Sequence, residues 1–221
     1  MDNATDTTVP NETQSPSIWQ NKMFRLALLG LGIGIGLGAL FLAIRPLLGP
    51  TEWHGMVIQS NQPVTNFTLV GPNEQPVSLI DYRGKVVMLY FGYTFCPDVC
   101  PATMVELSDA MEILGKQSED VQVIMITLDP ERDTSDVLNN YVTHFNESFI
   151  GLTGTPDDLI AVTAPMGIFY EKHEGSDASG YLIDHTATVT VLDKEGKLRL
   201  VYPFGITGAE IAADLKYLIR E

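Results

Sequence analysis

Two apolar runs, Val86 to Phe91 and Val121 to Leu128, leave this chain few folds to choose from. Each is apolar at nearly every position, which suits a strand covered on both faces rather than one with a wet side. Between them Met104, Leu107, Met111 and Leu114 recur at helical spacing. The three segments predict a β-α-β unit, whose crossover is expected to be right-handed. Val137, Leu138, Tyr141, Val142 and Phe145 mark a second helix, with Asp133 or Thr134 at its start. A third opens at Thr155-Pro156-Asp157-Asp158, where a capping hydroxyl precedes proline at the first helical position. Tyr181 to Leu192 alternates and reads as one strand, Asp193 to Lys197 turns through Gly196, and Leu198 to Tyr202 returns antiparallel to it. The capping box Thr207 and Glu210 announces a closing helix from about Gly208 to Arg220. The fold class is α/β.

A different signal precedes this domain. Leu26 to Ile44 is an uncharged stretch of 19 residues between Lys22 and Arg25 on one side and Arg45 on the other, long enough to cross a hydrocarbon core ~30 Å thick. It is expected to be one transmembrane helix, because no small-x-small cleavage site of a signal peptide follows it. Two basic residues precede the span and one follows. By that margin of one charge the amino terminus lies in the cytoplasm and residues 46 to 221 lie outside. Glycines at 30, 32, 34, 36 and 38 give two interleaved small-xxx-small patterns, which would allow a homodimer through the anchor. The expected organisation is a disordered cytoplasmic tail over 1–22, an anchor over 23–45, a juxtamembrane linker over 46–60 and the folded domain over 61–221.

Charge narrows the partners. Residues 1–45 carry three basic and three acidic residues, so the net charge of −15 belongs to the outer portion, with 10 basic and 25 acidic. Such a surface does not favour nucleic acid. The acidic tail also lacks the Arg-rich, acid-poor character of a mitochondrial transit peptide, which points to a bacterial source.

Cys96 and Cys100 are the only cysteines, four apart, directly after the first apolar run. That places them at the carboxyl end of a central strand, where open α/β sheets present their sites. Pro101 suits a first helical position, so the helix is expected to begin there with Cys100 as its cap. A thiol at the positive end of a helix is a reactive one. The pair could form a disulfide, exchange one with a partner, or hold a soft metal. Zinc and iron-sulfur sites ask for three or four strong protein ligands, whereas Cu(I) accepts two or three. The candidate third ligand is His185, which shares a face with Tyr181, Ile183, Ala187, Val189 and Val191. A histidine on such a face is also compatible with a hydrogen-bonded core role. His54, His144 and His173 read as solvated or capping residues, and Asp184 should point away from the His185 face.

The motifs taken together carry more. Asp81-Tyr82-Arg83-Gly84-Lys85-Val86-Val87, Tyr90-Phe91-Gly92-Tyr93-Thr94, Cys96-Pro97-Asp98-Val99-Cys100-Pro101, Leu128-Asp129-Pro130-Glu131-Arg132-Asp133-Thr134, Gly151-Leu152-Thr153-Gly154 and Asp184-His185-Thr186 occur in this order. The set resembles the Sco/SenC family of membrane-anchored copper chaperones, with Phe95 standing where relatives often carry a small polar residue or histidine. The resemblance implies a thioredoxin-like three-layer sandwich with a mixed central sheet. It implies that Cys96, Cys100 and His185 bind copper, as Cu(I) or Cu(II), for the CuA centre of cytochrome c oxidase subunit II. The alternative is a membrane-tethered thiol-disulfide oxidoreductase that reduces the cysteines of that subunit or of other extracytoplasmic proteins. Other copper chaperones and thiol reductants are further expected partners. The setting would be the bacterial inner membrane, with the domain in the periplasm. Ordinary thioredoxins place a cis-proline beside the dithiol, but no proline occurs between Pro165 and Pro203.

Overall fold

The computed structural model describes residues 22–44, 52–58, 60–174 and 180–221. They fall into two units, one within residues 1–49 and one within 50–221. The first is a single helix, α1 (Lys22–Ile44), whose Phe24–Ile44 stretch is long and apolar enough to cross a membrane. Its leucines and isoleucines are exposed, and among the described residues a Cβ on any of the five alternating glycines would meet no atom within 4 Å beyond the helix's own neighbouring backbone. The tail expected over 1–22 lies, apart from Lys22, outside the described residues, as does Arg45.

In the second unit the apolar runs become the two central strands. β1 (Met56–Val57) is an edge strand, β2 (Thr68–Val70) and β3 (Pro76–Ser78) form a small hairpin, and β4 (Val86–Gly92) enters the core. Helix α2 (Val99–Leu114) leads to β5 (Val121–Thr127). There follow α3 (Ser135–Phe145), β6 (Ile150–Leu152) and α4 (Pro156–Thr163), then β7 (Tyr170–Glu174) and β8 (Tyr181–His185). The chain closes with β9 (Thr188–Leu192), β10 (Leu198–Pro203) and α5 (Gly208–Leu218).

The main sheet has the order β1-β10-β9-β4-β5-β6. It is mixed: β4 runs parallel to β5, from Val86 opposite Val121 to Gly92 opposite Thr127, and antiparallel to β9. Every residue of β4 and β5 is buried, as strands covered on both faces must be. Caps fall where the hydroxyls predict: Thr134 accepts from the Val137 amide, and Thr155 with Asp158 and Thr207 with Glu210 close capping boxes. The architecture is a thioredoxin-like α/β sandwich.

Three expectations need correcting. Tyr181 to Leu192 is not one strand: β8 pairs with β7 in a separate two-stranded sheet, while β9 belongs to the main one. The Thr186 amide donates to the Phe169 carbonyl, and this diverts the chain between the two layers. Helix α2 begins at Val99, not at Pro101. The Ala102 amide donates to the Asp98 carbonyl, so Asp98 is the cap and Cys100 stands inside the first turn. Proline is tolerated there because amides of the first turn have no helical partner to lose. Finally, within the stretch read as a linker, β1 pairs with β10, so the folded unit takes in residues ahead of 61. Residues 46–51 and 59 of that stretch lie outside the described residues.

Candidate metal centre

Strand β4 delivers the dithiol and the β8–β9 junction delivers the imidazole. Beyond Gly92 the chain turns tightly, the Cys96 amide donating to the Tyr93 carbonyl at 3.3 Å. Gly92 is required by packing: a Cβ there would lie 2.9 Å from Cys100 Sγ and 2.9 Å from the Tyr90 ring. Cys100, in the first turn of α2, is fully enclosed, and Cys96 is half-buried at the rim. Both cysteines are free. The Cys100 amide donates to Cys96 Sγ at 3.4 Å, so a sulfur takes the place of a capping oxygen.

Across from them, His185 Nε2 is 3.5 Å from Cys100 Sγ. One ligand atom from each of Cys96, Cys100 and His185 lies within 4.8 Å of the others, the one such cluster among the described residues. The Nδ1 atom of His185 is buried and meets no hydrogen-bond partner among those residues. The ring is instead held edge-on by Tyr90 and Tyr93, with centroids 6.4 and 6.0 Å away.

The two thiols titrate as a pair. The hydrogen bond from Cys100, aided by His185 and the backbone amides of Asp98 and Cys100, pulls Cys96 far below the ordinary thiol range despite partial burial. The same hydrogen bond, together with burial, pushes Cys100 up. One proton shared in this way leaves the thiolate on Cys96, the outer sulfur. Two sulfurs and one imidazole make a soft donor set, suited to copper and short of the four ligands of a structural zinc site.

The other histidines stay apart. His54 Nδ1 is 2.8 Å from the Asp214 carboxylate, His144 rests against the Phe145 ring, and His173 lies 3.2 Å from Asp184. Asp184 does point outward. Phe95 is half-exposed, with the Arg132 guanidinium 4.9 Å over its ring.

Sequence reasoning left Asp129 inside a motif and offered Asp133 as a helix start, and so missed what these two buried aspartates hold. Asp133, fully buried, ties together the ends of β4 and β5: it accepts from the Thr94 amide at 3.0 Å, the Thr94 hydroxyl at 2.5 Å and the Thr127 hydroxyl at 2.6 Å. Asp129, equally buried, accepts from Tyr181 Oη at 2.6 Å and pairs with Arg132. The available signal was the position of Asp129, directly after the largely apolar run Val121 to Leu128, with Asp133 four residues on, where a buried carboxylate must find donors.

Comparison with known proteins agrees with this geometry. The SCO1/SenC family model matches residues 57–220. A SCO2-like protein of Rickettsia felis is 33% identical over 187 residues, covering 81% of this chain and 89% of that one. Among solved structures, apo Sco1 from Thermus thermophilus aligns with a TM-score of 0.68 and 41% identity, over 76% of this chain and 97% of its own. Bradyrhizobium japonicum ScoI with copper bound gives a TM-score of 0.65 and 34% identity, over 71% and 99%. With the match running through the dithiol, the histidine strand and the closing helix alike, the chain belongs to the SCO1/SenC family.

Proposed function

We propose that this protein carries copper, held by Cys96, Cys100 and His185, to a copper-dependent acceptor outside the cytoplasm. The observation that carries the reading is the cluster of two sulfurs and one imidazole within 4.8 Å, the one such cluster among the described residues, in a chain similar to a ScoI solved with copper bound. Thiolates favour Cu(I) and the imidazole adds a ligand acceptable to either oxidation state. Copper here is cargo. Transfer proceeds by ligand exchange: an incoming donor from the acceptor binds the ion as one of the three groups lets go, with no change in total charge or electron count. The acceptor we infer is the CuA centre of cytochrome c oxidase subunit II, which follows from the family resemblance of the motif set. The apolar helix anchors the domain to the bacterial inner membrane, and the bias of one basic charge together with a redox-sensitive dithiol supports a periplasmic side.

A second reading is supported by the lowered pKa of the half-buried Cys96 beside free Cys100. In it, Cys96 thiolate attacks an acceptor disulfide and Cys100 resolves the mixed disulfide. The acceptor disulfide gains two electrons, one proton from Cys100 and one from water, as Cys96 and Cys100 become a disulfide.

Titration of the reduced full-length chain with copper, beside His185→Ala, tests the first reading. The variant is expected to lose Cu(II) affinity by about tenfold or more and to lose nitrogen coupling in its spectrum. Unchanged affinity and spectrum would sink it. In a deletion strain, restoration of CuA by added copper would favour delivery, and restoration by a thiol reductant alone would favour reduction.

A further inference from the structure

His185 sits at the end of an element that cannot be expected to hold itself. Among the described residues strands β7 and β8 pair only with each other, and an isolated two-stranded hairpin is marginal in water. Yet the imidazole must be placed to a fraction of an ångström to serve as a ligand, and among the described residues its Nδ1 makes none of the hydrogen bonds that usually orient a metal-binding histidine. Something else must fix β8 against the body of the domain.

The loop after β5 does this. Tyr181, Ile183 and His185 alternate along one face of β8. At Tyr181 the hold is fourfold: its hydroxyl donates to buried Asp129 at 2.6 Å, and its carbonyl accepts from an Arg132 terminal nitrogen at 3.1 Å. The Arg132 guanidinium lies 3.7 Å over its ring on one side, and Lys172 Nζ, itself 2.7 Å from Glu131, lies 4.6 Å from the ring centroid. The Arg132 fork is in turn fixed by the Asp129 carboxylate. At Ile183 the backbone amide donates to Tyr93 Oη at 3.2 Å, and the Tyr93 ring both abuts His185 and lies 5.8 Å from Arg132. A continuous set of contacts thus joins Arg132 to the imidazole through Tyr181 and Tyr93, without passing through Cys96 or Cys100.

We propose that Arg132, held by Asp129, is a positioning residue for His185: it latches Tyr181 to the main domain and so sets the reach of the imidazole toward Cys100. The inference rests on the copper reading above. Lysine cannot replace this arginine, because one ammonium cannot at once pair with Asp129, stack on Tyr181 and bond its carbonyl.

The test uses the full-length chain in detergent, with Arg132→Ala, Arg132→Lys, Tyr181→Ala and Tyr181→Phe beside His185→Ala. Three readouts are taken below the melting temperature: Cu(II) affinity, nitrogen coupling in the copper spectrum, and the imidazole nitrogen resonances of the metal-free protein. Arg132→Ala, Arg132→Lys and Tyr181→Ala are expected to lose about tenfold or more in affinity, with weakened coupling. In the metal-free protein their His185 resonances should broaden or split. Tyr181→Phe keeps the stacked ring and should fall between these and the wild type, which also preserves a readout should an alanine variant fail to fold. Wild-type affinity, spectrum and resonances in the Arg132 and Tyr181 variants, while His185→Ala loses all of them, would overturn the positioning role and leave the copper site standing. Wild-type behaviour of His185→Ala would overturn the site itself, and the latch with it.

Discussion

Cys96 and Cys100 are one turn of chain apart and chemically unlike. Because the shared proton rests on Cys100, Cys96 is expected to be alkylated by iodoacetamide in the reduced, metal-free protein at a rate nearly independent of pH from about pH 5 upward. Cys100, fully enclosed, should stay unmodified until the protein is unfolded, which peptide mapping by mass spectrometry reads directly. In Cys100→Ser the largest cause of the low Cys96 pKa weakens, so its alkylation should acquire a pH dependence displaced toward alkaline values. A rate for wild-type Cys96 that rises tenfold per pH unit would contradict the shared-proton arrangement. The three residues that the fold gathers into one cluster were legible at this scale, since two cysteines, one strand-borne histidine and a run of motifs leave few other choices. Their inequality was not. Pro101 suggested that Cys100 was the helix cap, whereas it lies within the first turn, beneath Gly92. The distinction depends on which carbonyl the Ala102 amide meets, and residue types do not encode that.

Elements show the same division. Period and caps disclosed the central strands and the starts of α3, α4 and α5, because those signals are local. The split of β8 from β9 was hidden, because alternation continues across Thr186 and Ala187 on both sides of the break. What separates them is pairing with β7, a nonlocal event. The packing of α5 on α2 was hidden for a similar reason and makes its own prediction. A Cβ on Gly208 would lie 2.7 Å from the Glu106 carbonyl oxygen and 2.9 Å from the Ala110 amide nitrogen. Both are helical backbone and cannot step aside. Alanine gains at most about 1 kcal/mol in helix propensity over glycine, less at a helix start, while overpacking against an immobile neighbour costs roughly 1–3 kcal/mol. Gly208→Ala is therefore expected to destabilise the domain in urea unfolding; an unchanged or higher midpoint would show that α5 can shift away from α2.

On the scale of the whole molecule, one contact binds the start of the folded unit to its end. Buried Asp214 of α5 accepts from the backbone amides of His54 and Gly55, from Tyr202 Oη and from His54 Nδ1. The carboxylate hydrogen bond raises the His54 pKa above its ordinary value near 6.5, against slight desolvation. A group whose pKa is higher folded than unfolded adds stability that is complete below the unfolded value and disappears as pH rises through the folded one. Wild type should thus exceed His54→Ala in melting temperature most clearly below about pH 6.5, with the gap closing toward alkaline pH. A gap that widens with pH would reverse the assignment. Seen from the outside, the burial of Cys100 gives the molecule a front and a back. A visiting protein can offer a ligand only at the rim, where Cys96 and His185 stand, so any hand-over by exchange has a fixed order: the rim groups are replaced first and Cys100 releases last. On the copper reading proposed above, a fold that sinks one sulfur into its core chooses the sequence of events as well as the place.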